Sequence, residues 1–220
     1  MTTLITGATR GIGLGLLRAA ASAGEPIIGT HRGPAPDVPG AEWHPLDVAD
    51  PQSQAALADH LQGRPLDLLV CNAGVYTDRG RDIDTPPAPE DWAHTFAVNV
   101  TGVFLTVQAL LPNLLAGQTP RIAIIASQMG SSERARGGSY IYRASKAAAI
   151  NLGRNLAVDL APKGVAVGIY HPGWVRTDMG GAGADIDIAA SVAGLRARFA
   201  ELSLTTNGCF LRQDGTPHPF

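Results

Sequence analysis

Apolar and polar positions follow two alternating rhythms along this chain. Short, mostly apolar runs end in small or polar residues: Thr3 to Thr6, Pro26 to Thr30, Glu42 to Asp47, Leu66 to Cys71, Arg121 to Ala126, Gly164 to Tyr170 and Gly208 to Leu211. They predict strands, the third of them weakened by Pro45. Between them lie stretches with apolar residues at helical spacing: Leu14 to Ala21, Pro51 to Leu61, Glu90 to Leu115, the Ala-rich run from Tyr142 to Leu160, and Ile188 to Leu202. Asp50 stands as an N-cap with Pro51 at the first helical position. Pro112 predicts a bend or break in the helix from Glu90 to Leu115. Pro-rich and polar stretches from His31 to Gly40, Tyr76 to Pro89 and Gln128 to Gly138 read as loops, and Gly180 to Ala184 as a flexible segment. Strands alternating with helices, without repeat or linker, predict one doubly wound α/β domain over residues 1–220. It would hold a parallel sheet of about seven strands with helices on both faces.

Composition narrows the class. Hydrophobic residues make up 45% and charged residues 16%, a globular rather than a disordered balance. The net charge of −2 argues against nucleic acid as a bulk electrostatic partner. No apolar run approaches the ~20 residues of a membrane span, and the first strand starts too early for a signal peptide. Cys71 and Cys209 are the only cysteines, and suit small apolar fillers in a reducing compartment. The expectation is a cytoplasmic protein without a membrane or nucleic-acid partner. The histidines show no metal-ligand spacing, so no metal is expected; His171, before Pro172, reads as structural.

Candidate chemistry gathers at the carboxyl ends of the predicted strands, where open α/β sheets bind ligands. Strand one runs into Gly7-Ala8-Thr9-Arg10-Gly11-Ile12-Gly13 and then a helix. Gly7 allows the turn, Gly11 lets backbone approach a ligand, and Gly13 lets the helix pack on the sheet. The helix N-terminus then offers free N–H groups and partial positive charge to a pyrophosphate. His31-Arg32 follows strand two, Asp47 strand three, Asn72-Ala73-Gly74 strand four, Ser127 strand five and Pro172-Gly173 strand six. Tyr142 and Lys146, at positions i and i+4 of a helix, share one face. A nearby ammonium favours the phenolate and lowers the phenol's pKa, which suits acid–base work on an alcohol or carbonyl oxygen. Asn99 falls mid-helix, where asparagine is either a tolerated polar residue or part of the site.

These motifs, in this order and spacing over nearly the whole chain, resemble the short-chain dehydrogenase/reductase family: T-G-x-x-x-G-x-G at Thr6 to Gly13, Asn72-Ala73-Gly74, Asn99, Ser127, Tyr142-x-x-x-Lys146 and Pro172-Gly173. The segment Trp174 to Gly181 and Asp214-Gly215 look most like the short C-factor and sniffer-like carbonyl reductase branch. The resemblance implies a Rossmann domain and hydride transfer between a nicotinamide and a carbonyl or secondary alcohol. Tyr142 would be the acid in reduction and the base in oxidation. Lys146 would lower its pKa and hold the nicotinamide ribose, Ser127 would orient the substrate oxygen, and Asn99 would support a water linking Lys146 to solvent. The cofactor would lie along Gly7, Thr9, Arg10, Gly11, Ile12, Gly13, His31, Arg32, Asp47, Val48, Asn72, Ala73, Gly74, Tyr142, Lys146, Pro172, Gly173, Val175 and Thr177.

Thr30-His31-Arg32-Gly33 puts cations, not a carboxylate, where a ribose 2′-group is read, and Arg10 adds another. The expected cofactor is therefore NADP(H) in preference to NAD(H), with NAD(H) possible. The segment after Pro172-Gly173 is shorter than the lid of many relatives. Tyr76, Met129, Tyr140, Trp174 and Met179 are candidate pocket residues or ordinary loop packing. Arg134 and Arg136 either bind an anionic group or are solvated. Apolar residues on more than one face of the helices around Ala97 to Leu115 and Tyr142 to Leu160 predict a homodimer or homotetramer. The alternative function is a nucleotide-binding signalling or regulatory protein of C-factor type.

Overall fold

The computed structural model describes residues 1–220. In chain order the elements are β1 (Thr3–Ile5), α1 (Gly11–Ser22), β2 (Ile27–His31), β3 (Ala41–Pro45), α2 (Pro51–His60), β4 (Leu68–Cys71), α3 (Pro89–Phe96), α4 (Gly102–Leu115), β5 (Arg121–Ile125), α5 (Tyr140–Leu160), β6 (Ala166–His171), α6 (Ile188–Glu201) and β7 (Phe210–Arg212). All seven strands form one parallel sheet in the order β3-β2-β1-β4-β5-β6-β7. The order reverses direction between β1 and β4. Connections leave that point toward opposite faces and open a crevice above it.

The strand residues sort by parity between two cores, as a period of two requires. Leu4, Leu69, Cys71, Ile122 and Ile124 face α2, α4 and the end of α5. Ile5, Leu68, Val70, Ala123 and Ile125 face α1 and α6. A sheet covered on both faces explains the unbroken apolar runs in the sequence. Pro45 is compatible with β3 because it ends an edge strand, paired only with β2.

The long fourth helical stretch departs from expectation in where it breaks. Helix α4 passes through Pro112 without a break and ends three residues later. The interruption lies upstream, where Ala97–Thr101 forms a π turn carrying Asn99. The whole run Pro89–Leu115 is 27 residues and, by length and composition alone, apolar enough to cross a membrane, contrary to the expectation from the sequence. Here half of its most apolar stretch is buried inside the protein, with α4 packed on α2 and the sheet. The segment from Gly180 to Ala184 is also tied down more than its glycines imply. Trp174 Nε1 donates to Gly180 O at 2.9 Å, Gly180 N donates to Thr177 Oγ1 at 3.0 Å, and Val175 bridges to Ile186.

Candidate active site

The loop between β1 and α1 is shaped by what surrounds it. A Cβ on Gly13 would sit 2.5 Å from both Asn72 Nδ2 and Gly7 O, so α1 reaches the sheet only without one. Asn72 Nδ2 donates to Thr6 O at 3.0 Å and Gly7 O at 3.1 Å, and Thr6 Oγ1 accepts the amides of Asn72 and Ala73. The Asn72-Ala73-Gly74 turn and the glycine loop thus brace each other across the switch point. No side chain caps α1 and its first turn carries no acid. Its orphan N–H groups and positive dipole end are available to an anion.

A cavity of about 370 Å³ occupies the crevice. It is lined by nearly every cofactor-binding residue expected from the sequence: Gly7, Thr9 to Gly13, His31, Arg32, Asp47, Val48, Asn72 to Gly74, Tyr142, Lys146, Pro172 and Thr177. Gly173 and Val175 do not line it. They belong to a second cavity of about 320 Å³ with Ser127, Tyr76, Met129, Trp174 and Met179. Tyr142 lines both. Tyr140 lines neither; it lies half-exposed in the first turn of α5, so it is not a pocket residue. Arg134 and Arg136 are exposed and line neither cavity.

The Tyr–Lys turn of α5 is buried, and burial dominates its acid–base character. Desolvation pushes the Tyr142 phenol up to about 12, while the Ser127 hydroxyl pulls it down. The same desolvation brings the Lys146 ammonium down to about 8. The Lys146 ammonium lies 5.8 Å from the tyrosine ring centroid, and burial outweighs the depression of the phenol that a cation there favours. Lys146 Nζ donates to Ile125 O at 3.0 Å, which aims it along the first cavity's floor. Ser127 Oγ accepts from Met129 N at 3.1 Å, leaving its own O–H free to donate.

Asn99 stands in the π turn. Its side chain is fully committed: Oδ1 accepts from Val75 N at 2.8 Å, and Nδ2 donates to Val75 O at 2.9 Å and Ser145 Oγ at 3.0 Å. It lines neither cavity, and its side chain clamps the strand-four turn to α5.

The sequence reading missed Asp78. It is fully buried, and its two carboxylate oxygens accept from Ile141 N at 2.7 Å and Tyr142 N at 3.2 Å. It caps α5 at the turn bearing the tyrosine. Tyr76 from the same loop stacks on Tyr142, with centroids 4.1 Å apart, and its hydroxyl hydrogen-bonds Ser139 Oγ at 2.7 Å. Ser139 is the one non-glycine residue in the left-handed region, at φ 47, a strained entry to the helix that these contacts hold. No local motif announces Asp78, because its partners lie 63 and 64 residues away.

A doubly wound parallel sheet with a glycine loop at its switch point and a buried Tyr–Lys helical turn beside the crevice defines a Rossmann-type dinucleotide fold. The chain belongs to the short-chain dehydrogenases, whose family model matches residues 1–185. The C-signal protein of Myxococcus xanthus is 37% identical over 169 residues, which cover 75% of this chain and 99% of that one. Among solved structures, the NADPH-bound carbonyl reductase from chicken fatty liver superposes with a TM-score of 0.90 at 30% identity, over 100% of this chain and 98% of that one. The carbonyl reductase Sniffer of D. melanogaster does so with a TM-score of 0.90 at 29% identity, over 100% and 99%.

Proposed function

We propose that this chain is an NADPH-preferring oxidoreductase of carbonyl reductase type, with residues 1–220 acting as one cofactor-binding and catalytic domain. The observation that carries the reading is Tyr142 on the wall shared by two cavities, with Lys146 on the side of the first and Ser127 on the side of the second. The first cavity fits a dinucleotide. Gly11 has φ +55, and the site of its missing Cβ meets only Thr177, at 3.5 Å, so bare backbone borders the crevice. With the uncapped start of α1 it forms a cradle for a pyrophosphate. The loop from Gly7 to Gly13 would hold the phosphates, His31 and Arg32 the ribose 2′-group, Asp47 and Val48 the adenine. Asn72 to Gly74, Lys146 and Pro172 to Thr177 would hold the nicotinamide half.

When bound, the nicotinamide supplies a hydride to a carbonyl carbon or takes one back from an alcohol. The protein's own share concerns the oxygen. Tyr142, protonated throughout the neutral range, gives its proton to the oxygen as negative charge develops there, and takes it back in oxidation. The free O–H of Ser127 donates to the same oxygen and fixes its position. Lys146 in its ammonium form stabilises the tyrosinate that remains. Asn99 and Asp78 act as positioning residues, the first through Val75 and Ser145, the second through the amides of Ile141 and Tyr142.

An NADPH-dependent screen over ketones, aldehydes, quinones and imines, run beside Tyr142→Phe, tests the reading. Turnover well above that variant is expected for at least one class, and none for any class would defeat the proposal. The likeness to C-signal supports a second reading, a nucleotide-binding signalling protein. Tight NADPH binding without turnover would favour it.

A further inference from the structure

The second cavity has a chemical polarity of its own. This inference rests on the carbonyl reductase reading only for which end of the cavity holds the reacting oxygen. At that end stand Tyr142 and Ser127. Its walls carry aromatic and apolar side chains beside the uncharged polar Gln128 and Thr177: Tyr76, stacked on Tyr142 with 18° between the ring planes, lines it together with Trp174, Met129 and Met179. No carboxylate lines the cavity, and its one permanently charged residue is Arg79. The other basic residue in the lining, His171, is held neutral because burial brings it down to about 3.

Arg79 is placed as a recognition group is placed. It is exposed to solvent but makes no ion pair. One arm of its guanidinium, Nη2, donates to Met179 O at 2.5 Å and to Gly180 O at 3.0 Å. The guanidinium carbon lies 5.7 Å from the Tyr76 ring centroid, so the cation is pinned beside the aromatic wall. Its Nη1 and Nε make no hydrogen bond within the protein. A fixed guanidinium with unused donors matches a carboxylate in charge and in geometry.

We propose that the second cavity selects a carbonyl compound with a flat, apolar or aromatic body and a carboxylate remote from the reacting carbonyl, and that Arg79 is the residue that reads the carboxylate. The carbonyl meets Tyr142 and Ser127, the body slides along Tyr76, and the carboxylate meets the free donors of Arg79. An exposed charge contact of this kind is screened by salt, so the selectivity weakens as ionic strength rises.

The test compares 4-formylbenzoate with its neutral methyl ester as substrates with NADPH, in wild type, Arg79→Gln and Arg79→Lys. In wild type at low salt kcat/KM is expected to be about tenfold higher for the carboxylate, the size of a single charge-assisted contact. Arg79→Gln should bring the ratio close to one, and Arg79→Lys should retain part of it. The ratio is internal to each variant, so a general loss of activity from freeing Met179 and Gly180 does not imitate the effect. Calorimetry with benzoate and its neutral counterpart, benzamide, supplies a readout that needs no turnover. Reduction of both aldehydes without preference, or a preference unchanged in Arg79→Gln, overturns the role of Arg79 and leaves the reductase reading standing. Benzoate bound in preference to benzamide, in wild type but not in Arg79→Gln, with no reduction of either aldehyde or of any compound in the wider screen, supports the role of Arg79 and removes the reductase reading.

Discussion

Tyr142 holds its proton more tightly than a tyrosine in water, and Lys146 holds its proton less tightly than an ordinary lysine. Both shifts come from burial, and they give the site one titration in the accessible range. On the proposed reading, reduction needs Tyr142 protonated, which holds to about 12, and Lys146 charged, which holds below about 8. The expected kcat/KM for reduction is therefore flat at neutral pH and declines as pH rises through about 8. In Lys146→Met that inflection should vanish along with most of the activity; a pH–rate profile of both proteins checks it. Tyr142→Phe should lower kcat by ~10²–10⁴ with NADPH affinity retained, because a positioned acid is worth that much. Near-wild-type turnover would contradict the assignment. At the other end of the crevice, Arg32 has no carboxylate partner, while Arg10 Nη1 lies 3.2 Å from Asp178 Oδ2, with both side chains more than two-thirds exposed at 73% and 81%. So exposed a pair contributes little and yields readily to a phosphate. Titration should find NADPH bound more tightly than NADH. Arg32→Ala and Arg10→Ala should each lower that ratio, by up to the ~1.5–3 kcal/mol of a charge-assisted hydrogen bond. Ratios that stay unchanged would remove these residues from the 2′-site.

Element by element, the least expected device is the capping of α5 from a distant loop. Asp78→Ala would leave two buried amides without acceptors, one of them on Tyr142 itself. A stability loss of about 1–3 kcal/mol is expected, together with a fall in kcat larger than any change in NADPH affinity. Asp78→Asn keeps an acceptor and should recover part of both. Denaturant midpoints and turnover on the same preparations check this, and an unaltered kcat in Asp78→Ala would refute the positioning role. Asp78 also marks where sequence stops being informative. The strands were legible because each is a dense apolar run with covered faces, and most of the crevice lining because it follows those runs at their carboxyl ends. Periodicity says nothing about which loop reaches across to which helix, so the polar stretch around Asp78 reads only as a loop. Pro112 misled for a related reason. A proline acts on the turn before it, through the carbonyl four residues back, and α4 runs on through Pro112 to Leu115 without a break. Asn99 lay in the true interruption, but a single unfavourable propensity does not distinguish a π turn from a tolerated residue.

For the molecule as a whole, the outer faces of the helical layer stay apolar in places. Phe104 and Leu115 on α4 and Val158 on α5 are exposed at 44%, 48% and 73%. A second copy of the chain pairing through α4 and α5 would cover them. Sedimentation at micromolar concentration should give a species larger than the 22.8 kDa monomer, and Phe104→Glu with Val158→Glu should return it to monomer. A wild-type monomer would exclude the pairing. The π turn at Ala97–Thr101 bears on how that surface came to be where it is. One residue of surplus length in a helix is about 100° of rotation. Everything before Ala97 is thus out of phase with everything after Thr101, and no single helical wheel describes the run Pro89–Leu115. The surplus residue acts as a gear between two surfaces: it lets Trp92 and Phe96 keep one heading while Val103, Val107 and Leu110 keep another. Deleting Val100 would restore an even winding and mesh the two halves. It would also turn Asn99 away from Val75, so a helix more regular by every local measure would release the turn that borders the crevice.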